Sequence, residues 1–502
     1  MRTVKNAPAN DESSSGVRLP FPKSPLKSSL YNVYASLPVF MQNAIWSLMG
    51  VGTFVRRYNT HFFRTLRFLE ESQWWSLEQQ KAYQAERLQS LILHAYNTCQ
   101  YYREIFDSLH LRPSDIRTPE DLEKLPILEK STIRKHYTRM RSSNWPTSRQ
   151  VHIYTGGTTG TALDLVCDRD TVTWQWAVWW RHRRRFSINI WDPHVEMAGH
   201  PIVPLERMTP PIWRRNLVMR QTYVSAHHMT RMNMQALYEY LNKRDAVYYA
   251  GYPSAFYLLA VHMLENGLNL SRPPKLAVTG SETLLPHQRN CIEKAFSAEV
   301  TDQYGASESC GNISECERHR YHVDMEFGVI EFLPIPGMPS NVRRIVCTGL
   351  TNPAMPLIRY NIGDTATLSS AACPCGRQSP VVEKIDGRIE SYIITPDGRR
   401  LGRLDFLFKE TERIEEAQLI QDRIDRVTVR VVRSQHYGAR DEQILLANLR
   451  RYLGDEIILD IEYLNEIPRE SNGKFRQIVS SVFRDRYAES ANAPNNEGHI
   501  TL

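Results

Sequence analysis

The stretch Tyr154-Thr-Gly-Gly-Thr-Thr-Gly160 places three glycines and three threonines within seven residues. Glycine lets the backbone take φ > 0 and come close to an anion, while hydroxyls and free N–H groups donate to phosphate oxygens. The composition therefore suits a loop that wraps a polyphosphate; the plain alternative is a Thr/Gly-rich hairpin turn. A P-loop would need G-x-x-x-x-G-K-[ST], with its lysine on the β/γ-phosphates. Here Thr161 follows Gly160, and no lysine comes before the apolar Leu163, Leu165 and Val166. The spacing also misses G-x-G-x-x-G, which removes the dinucleotide reading.

Outward from this loop, 502 residues predict two or three domains. A composition of 42% hydrophobic and 23% charged residues is that of a soluble globular protein. The net charge of +7, from 62 basic and 55 acidic residues, comes with no block of like charge resembling a nucleic-acid arm, so no nucleic-acid partner is expected. Residues 1–30, rich in Ser, Pro, Asn and Lys, read as a disordered lead-in without the apolar core of a secretory signal. Leu37–Val55 is the most apolar stretch, but Pro38, Gln42, Asn43 and two glycines argue against a spanning helix. It reads as a packed helix, with peripheral association at the inner membrane face as the sharper alternative. Eight cysteines without a signal point to reduced thiols in the cytoplasm.

Helical spacing of Leu77, Tyr83, Leu88, Leu91, Ile92 and Tyr96 predicts one long amphipathic helix over Trp75–Arg103. Trp174–Arg185 reads as a tryptophan-rich helix whose run of arginines forms a solvated last turn, where cations suit the dipole. Short β runs at Ala246–Tyr249, Lys275–Thr279, Ala298–Gln303 and Val329–Leu333 alternate with helical ones, the α/β pattern of a parallel or mixed sheet. After Ile385 strand-like Tyr392–Thr395 and Val427–Val432 flank helical Leu404–Thr411 and Asp441–Tyr452. The fold expected is a large N-terminal α/β domain over 31–387, with mixed sheets, and a smaller mobile α+β domain over 388–502. The hinge is placed near 386–390.

Four further segments carry chemistry. Ala277–Thr283 (AVTGSET) runs from a strand into the Gly280-Ser281-Glu282 turn. Thr301–Glu308 (TDQYGASE) brings Tyr304, Gly305, Ser307 and Glu308 to a strand end. Arg359–Asp364 (RYNIGD) sets Asp364 after a glycine, and Pro468–Arg476 (PRESNGKFR) holds Lys474 in a glycine turn. Each alone could be a polar turn. Their order and chemistry together are specific.

In these motifs the chain resembles the adenylate-forming ligase superfamily, which includes acyl-CoA synthetases and luciferases. Within it the likeness is to phenylacetate–CoA ligase and CapK-like relatives, across roughly residues 30 to 490. Tyr154–Gly160 resembles the superfamily's Thr-Ser-Gly-Thr-Thr-Gly, Tyr304–Glu308 its Tyr-Gly-x-Thr-Glu, and Tyr360–Asp364 its Tyr-x-Thr-Gly-Asp. Gly387-Arg388 resembles its hinge and Pro468–Lys474 its C-terminal Pro-x-x-x-x-Gly-Lys. The resemblance implies a two-step reaction. A carboxylate and ATP give an acyl-adenylate and pyrophosphate, and an acceptor then displaces AMP. It implies that Lys474 bridges the carboxylate and the α-phosphate, that Glu308 holds Mg²⁺, and that Ser307 donates to the α-phosphate. Tyr304 would stack on adenine, with Gly305 in its turn and Gly280, Ser281 and Glu282 beside the ring. Asp364, an acceptor when ionised, suits both ribose hydroxyls, with Arg388 in support. Thr155, Gly156, Gly157, Thr158, Thr159 and Gly160 would grip the β- and γ-phosphates. CoA is the implied acceptor, with a carrier thiol, an amine or a hydroxyl as alternatives; a non-catalytic nucleotide-binding scaffold is the competing class. The acyl pocket would lie between Tyr248–Tyr257 and the Tyr304 turn, where Tyr249, Tyr252 and Phe256 would suit a flat acid.

The chain departs from the family pattern at named places. Gly156 stands where Ser is usual, Thr161-Ala162 replaces a common Lys/Gly-Pro, and Glu390-Ser391 replaces Asp-Asp at the hinge. Cys316, His322, Cys373 and Cys375 are a separate matter. Three thiolates and one imidazole make a closed tetrahedral zinc set, and related phenylacetate–CoA ligase-like proteins resemble this pattern. The alternatives are His319 as the imidazole, or four side chains unconnected in space.

Overall fold

In the computed structural model the described residues are 31, 33–154, 163–200, 202–204, 207, 209–336, 338–369, 371–388, 393–396, 400–401, 413–469 and 475–482. The chain forms two compact units, Met1–Ile385 with Arg469–Lys474, and Asp386–Pro468 with Phe475–Leu502. The lead-in 1–30 and the helical expectation at Leu404–Thr411 lie outside the described residues.

Two strands, β1 (Gln150–Tyr154) and β2 (Asp164–Asp168), form an antiparallel ladder on either side of the glycine-rich loop. The main sheet of the large unit then begins with β3 (His194–Ala198), β4 (Trp213–Asn216), β5 (Gln221–Ser225), β6 (Tyr248–Gly251), β7 (Leu276–Gly280) and β8 (Glu299–Gly305). It continues with β9 (Asn312–Glu315), β10 (Tyr321–Val323), β11 (Gly328–Pro334), β12 (Val342–Gly349), β13 (Tyr360–Leu368) and β14 (Val381–Arg388). The twelve strands run in the order β11-β12-β13-β14-β10-β9-β8-β7-β6-β3-β5-β4. Strands β5, β3, β6, β7 and β8 are parallel to one another, and β9 returns antiparallel to β8. The mixed sheet expected for the large domain is thus present.

Parallel strands are buried on both faces and read as continuous apolar runs, which is why β6 and β7 stood out in the sequence. Successive side chains point to opposite faces. Tyr249 therefore packs with Phe256 and Phe296 in one core, while Tyr248 packs with Trp180 in another. Of the three aromatic residues expected in an acid pocket, Tyr249 and Phe256 are fully enclosed in that core, whereas Tyr252 lines a cavity at the strand ends.

The helix Val39–Arg57 confirms a packed segment, with Gln42, Trp46 and Gly50 on its buried side. Asn43 accepts from the Arg215 backbone at 2.8 Å and Ser47 from that of Leu217 at 3.0 Å, fastening the helix to β4. Its outer face exposes Phe40, Leu48, Val51 and Val55. Among the described residues no helix is long and apolar enough to cross a membrane.

The single helix expected over Trp75–Arg103 is two, Leu77–Thr98 and Gln100–Ser108. Buried Cys99 breaks them with extended dihedrals of −110° and 114°. The first starts on a capping box in which Ser76 and Gln79 satisfy each other's N–H groups. The tryptophan helix runs from Arg169 to Arg185, with Asp168 accepting from the Thr171 N–H at 2.7 Å.

Its last turn departs from expectation, because it is not solvated. Arg181 is buried and bonds Asp324 at 2.5 Å and Glu326 at 2.8 Å, and Arg185 sits 3.5 Å from Asp324. Only Arg184, paired with Glu70, stands out in solvent. Local sequence read a favourable dipole; the reason for burial is that β10 and the turn after it carry two carboxylates into the same core.

The small unit carries a two-strand ladder, β15 (Ile393–Ile394) with β16 (Arg400–Leu401), and a four-stranded sheet ordered β19-β18-β17-β20. Its members are β17 (Ile414–Arg423), β18 (Arg426–Arg433), β19 (Ile458–Leu464) and β20 (Ile478–Ser480). Alternation along β18 sends Val427, Val429 and Val431 inward against Leu445, Leu449 and Leu453 of the helix Ala439–Leu453. This is the expected α+β unit. Strand β17 went unread in the sequence because its glutamates and glutamine, although buried, break the apolar pattern.

Candidate active site

In open α/β sheets ligands bind outside the carboxyl ends of the parallel strands, where the strand order switches. Here β3, β6, β7 and β8 end at Ala198, Gly251, Gly280 and Gly305, and all four line one cavity of about 130 Å³. The helices Val39–Arg57 and Arg169–Arg185 supply its walls. All three glycines are sterically constrained: a Cβ on Gly251 would lie 2.1 Å from the Met197 carbonyl. A Cβ on Gly305 would lie 2.9 Å from the Asn312 amide oxygen and 3.3 Å from the Trp179 indole nitrogen, and one on Gly280 would lie 2.9 Å from the Gln303 carbonyl.

The structure brings several sequence-predicted site residues to this edge. Tyr304, at the end of β8, donates to Asp364 of β13 at 2.8 Å. Tyr360, at the start of β13, donates to Glu308 at 3.0 Å. Sixty residues of chain separate Tyr304 from Asp364, yet the two bonds tie one turn to one strand. Glu308 is buried, and among the described residues no cationic side chain lies within ion-pairing distance of it. Ser307 and Ser281 both face the cavity, Ser281 with a left-handed φ of 70°. Glu282 is engaged elsewhere. Its carboxylate accepts from the Ser254 N–H and hydroxyl, both at 3.1 Å, holding the first turn of the helix Pro253–Glu265.

Gln175 was missed by sequence reasoning. It accepts from the Ser309 hydroxyl at 3.0 Å and donates to the Ala306 carbonyl at 3.2 Å, clamping the Tyr304–Glu308 turn to the tryptophan helix. A glutamine in a helix carries no sequence signal for that role. Thr155, Gly156, Gly157, Thr158, Thr159, Gly160, Lys474 and Glu390 lie outside the described residues. Gly387 takes a φ of 87°, and Arg388 ends β14, its side chain likewise outside the described part.

The four predicted metal-binding side chains meet in space. Cys316 follows β9, His322 lies in β10, and Cys373 and Cys375 sit in the turn between β13 and β14. Their ligand atoms lie within 4.8 Å of one another. The Cys316 and Cys373 sulfurs are 3.6 Å apart, and Cys375 Sγ is 3.4 Å from His322 Nε2. A disulfide would need about 2.05 Å. A tetrahedron with Zn–S of about 2.3 Å has S–S edges of roughly 3.8 Å, close to what is seen. The other His322 nitrogen meets the Ser379 hydroxyl at 3.2 Å, and the Arg318 N–H points to Cys316 Sγ at 3.4 Å, both fitting partners of ligating groups. His319 instead turns to Glu315 and Glu299, each at 3.7 Å, which removes it as the alternative imidazole.

Comparison with known proteins agrees with this architecture. Residues 393–481 match the CapK C-terminal domain. The chain is 25% identical to protein CapK of Staphylococcus aureus over 460 residues, covering 90% of this chain and 99% of that one. It is 26% identical to a phenylacetate–coenzyme A ligase of Thermus thermophilus over 345 residues, or 63% and 72% of the two chains. In fold it is similar to a crystal structure of 2-hydroxyisobutyryl-CoA ligase holding an acyl-adenylate, with a TM-score of 0.64 at 18% identity over 84% of this chain and 94% of that one. In sequence the chain is thus similar over most of its length to protein CapK and over its larger part to phenylacetate–CoA ligase, and in fold it is similar to an acyl-CoA ligase.

Proposed function

We propose that this protein activates a carboxylic acid with ATP and passes the acyl group to an acceptor, most simply the thiol of CoA. The observation that carries the reading is the pair of bonds Tyr304–Asp364 and Tyr360–Glu308 at the carboxyl ends of the parallel strands, beside the cavity. In the first step a carboxylate oxygen attacks the α-phosphorus. The bond to the bridging oxygen breaks, pyrophosphate leaves with that electron pair, and the acyl-adenylate remains. The acceptor then attacks the acyl carbon and AMP departs.

Two anions meet in the first step, so positive charge and dipoles must be arranged where charge builds up. Lys474 is assigned that role, bridging carboxylate and α-phosphate, with the Ser307 hydroxyl donating to the same phosphate. Tyr304, its hydroxyl tied to Asp364, would offer its ring to adenine, and Asp364 would accept from the ribose. The loop 155–160 would hold the outer phosphates. The buried Glu308 carboxylate, served by one hydroxyl donor, fits the magnesium that accompanies ATP, which when bound adds positive charge at the phosphates. In the sequence Lys474 comes after 386–390, within the part the resemblance expects to swing, so movement at 386–390 between half-reactions is part of the proposal. A panel of carboxylic acids scored by AMP release, with and without CoA, tests it. AMP formed only with CoA supports thioester formation; AMP formed with an amine or hydroxyl acceptor instead supports the amide or ester reading implied by the CapK resemblance; none with any acid supports the scaffold.

Cys316, His322, Cys373 and Cys375 are proposed to hold a structural zinc that joins two turns of the sheet. Protein purified without added zinc is expected to carry about one zinc per chain by metal analysis, falling well below that in Cys373→Ser. A metal-free wild-type protein would remove the site. Peripheral contact with a membrane through 37–55 is proposed on the exposed Phe40, Leu48, Val51 and Val55, with sedimentation on anionic vesicles as its test.

A further inference from the structure

The cavity's lining does not match a simple hydrocarbon acid. Gly305 and Ser307 line it where the reacting carboxylate would meet the nucleotide, and the helices Val39–Arg57 and Arg169–Arg185 line it as well. The lining carries two guanidiniums, Arg57 and Arg183, against one carboxylate, Glu196. The third basic group, His194, is neutral there, because burial pushes its pKa down to about 4. Glu196 is itself engaged with the Gln221 amide at 2.5 Å.

The cations are held by rings more than by acceptors. The Arg57 guanidinium lies 3.3 Å from the Trp176 ring centroid, and Arg183 lies 5.5 Å from that of Trp180. Arg57 Nη2 is enclosed and has no hydrogen-bond partner, and the same holds for Arg183 Nε, whose Nη1 is spent on the Trp179 carbonyl at 3.1 Å. Burial lowers the pKa of Arg57, and the nearby charge of Arg183 lowers it further, while the Tyr58 hydroxyl and Glu196 act against both. A buried guanidinium N–H without an acceptor costs roughly 1–3 kcal/mol, so two at one cavity call for a ligand that supplies the oxygens. Arg181 and Arg214 also leave one N–H unpartnered, but Arg181 is held by Asp324 and Glu326 and Arg214 by Gln42 and two carbonyls; what sets Arg57 and Arg183 apart is that both line the cavity.

We propose that the acid this site takes is a flat diacid: one carboxyl is activated at the Ser307 end, and a second anionic oxygen group is read by Arg57 and Arg183 beside the packed Trp176 and Trp179 rings. Which carboxyl reacts rests on the ligation reading above; the anion-reading end rests on the cavity alone. Arginine suits this task, since its planar fork matches a carboxylate bidentately and stacks on indole at the same time.

Calorimetry on the full chain, with and without AMP, compares terephthalic with benzoic acid, and homoterephthalic with phenylacetic acid. At least one diacid should bind tighter than its monoacid by about tenfold to a hundredfold, the worth of a charged hydrogen-bond pair. Arg57→Met should collapse that ratio to below about threefold, and Arg183→Met provides an independent second variant with the same expected collapse. Diacids that bind no tighter than their monoacids, or a ratio untouched in both variants, would overturn the proposal. The ligation reading is separable by pyrophosphate exchange. Diacid preference without exchange sinks ligation and keeps this inference; exchange with equal use of mono- and diacids does the reverse.

Discussion

Replacing Lys474 by alanine is expected to lower ATP–pyrophosphate exchange by about 100- to 1,000-fold on any accepted acid, with little change in the KM for ATP. The reason is where the charge develops. In the ground state the carboxylate and the α-phosphate each keep their own solvation or protein partners. In the transition state their oxygens approach the same phosphorus, and a cation between them is worth most at that moment. A group that stabilises the transition state more than bound ATP shows in kcat and leaves KM nearly alone. Lys474→Arg separates charge from shape: it keeps the cation but moves it, and should recover only part of the rate. Exchange at the wild-type level in Lys474→Ala would remove the lysine from the first half-reaction. It would also weaken the reading of the whole Pro468–Lys474 turn.

A second large effect is expected on stability rather than on rate. Arg181→Met should destabilise the large unit by about 3–5 kcal/mol, the usual cost of removing one partner from a buried ion pair. Arg181 is 2% exposed and its partners Asp324 and Glu326 are 1% and 4% exposed. Asp324 also accepts from Ser314 at 2.6 Å and from Asn312, and Glu326 accepts from Ser72. Removing the guanidinium would leave two carboxylates in a site that cannot hydrate them. Burial alone would raise the pKa of Asp324; Arg181 and Arg185 outweigh it and hold the group below its ordinary value. That part of the stability is therefore present above the unfolded carboxylate pKa of about 4 and is lost as the pH falls through the lower native value. Arg184→Met, three residues along the same helix, is the contrast. Arg184 and Glu70 are 41% and 33% exposed, and such a pair is worth less than about 1 kcal/mol. Urea midpoints that move equally for the two variants would show that the Arg181 cluster is no more than a surface pair in effect.

The contrast between these arginines marks where sequence reading stops. Trp174–Arg185 reads as a helix by spacing, and its basic end satisfies the dipole whatever surrounds it. Whether a given guanidinium meets water, a carboxylate or a cavity depends on strands far away in the chain. Arg181 meets Asp324, Arg183 faces the cavity, and Arg184 reaches solvent, because successive helical positions turn by about 100° and so meet different neighbours. The same reason hid Gln175, whose partners Ala306 and Ser309 lie more than a hundred residues on.

Motif chemistry carries further than packing. Strands β6, β7 and β8 were legible within two residues at either end, β6 and β7 as apolar runs, and all three end at a glycine. Tyr304, Ser307 and Glu308 could be nominated from sequence because they lie at or just after the end of β8; Asp364 lies within β13 and meets Tyr304 only through the fold. The aromatic pocket was legible only in part: Tyr252 lines the cavity, but the strand's alternation turns Tyr249 into the core, Phe256 is enclosed with it, and Trp176 and Trp179 join the lining from a helix some seventy residues earlier. Cysteine spacing could nominate Cys316, His322, Cys373 and Cys375 but could not join them; pairing β9 with β10 and β10 with β14 did that.

By itself the sequence determined the two-part α/β and α+β construction and the chemical character of the site, because hydrophobic period and side-chain type are local properties. Only the tertiary structure decided which side chains share a cavity, that Tyr304 is bonded to Asp364 and Tyr360 to Glu308, and that Arg57 and Arg183 line that cavity. Those are consequences of strand order and register, set by how the whole sheet buries its faces, and no local stretch of the chain contains them.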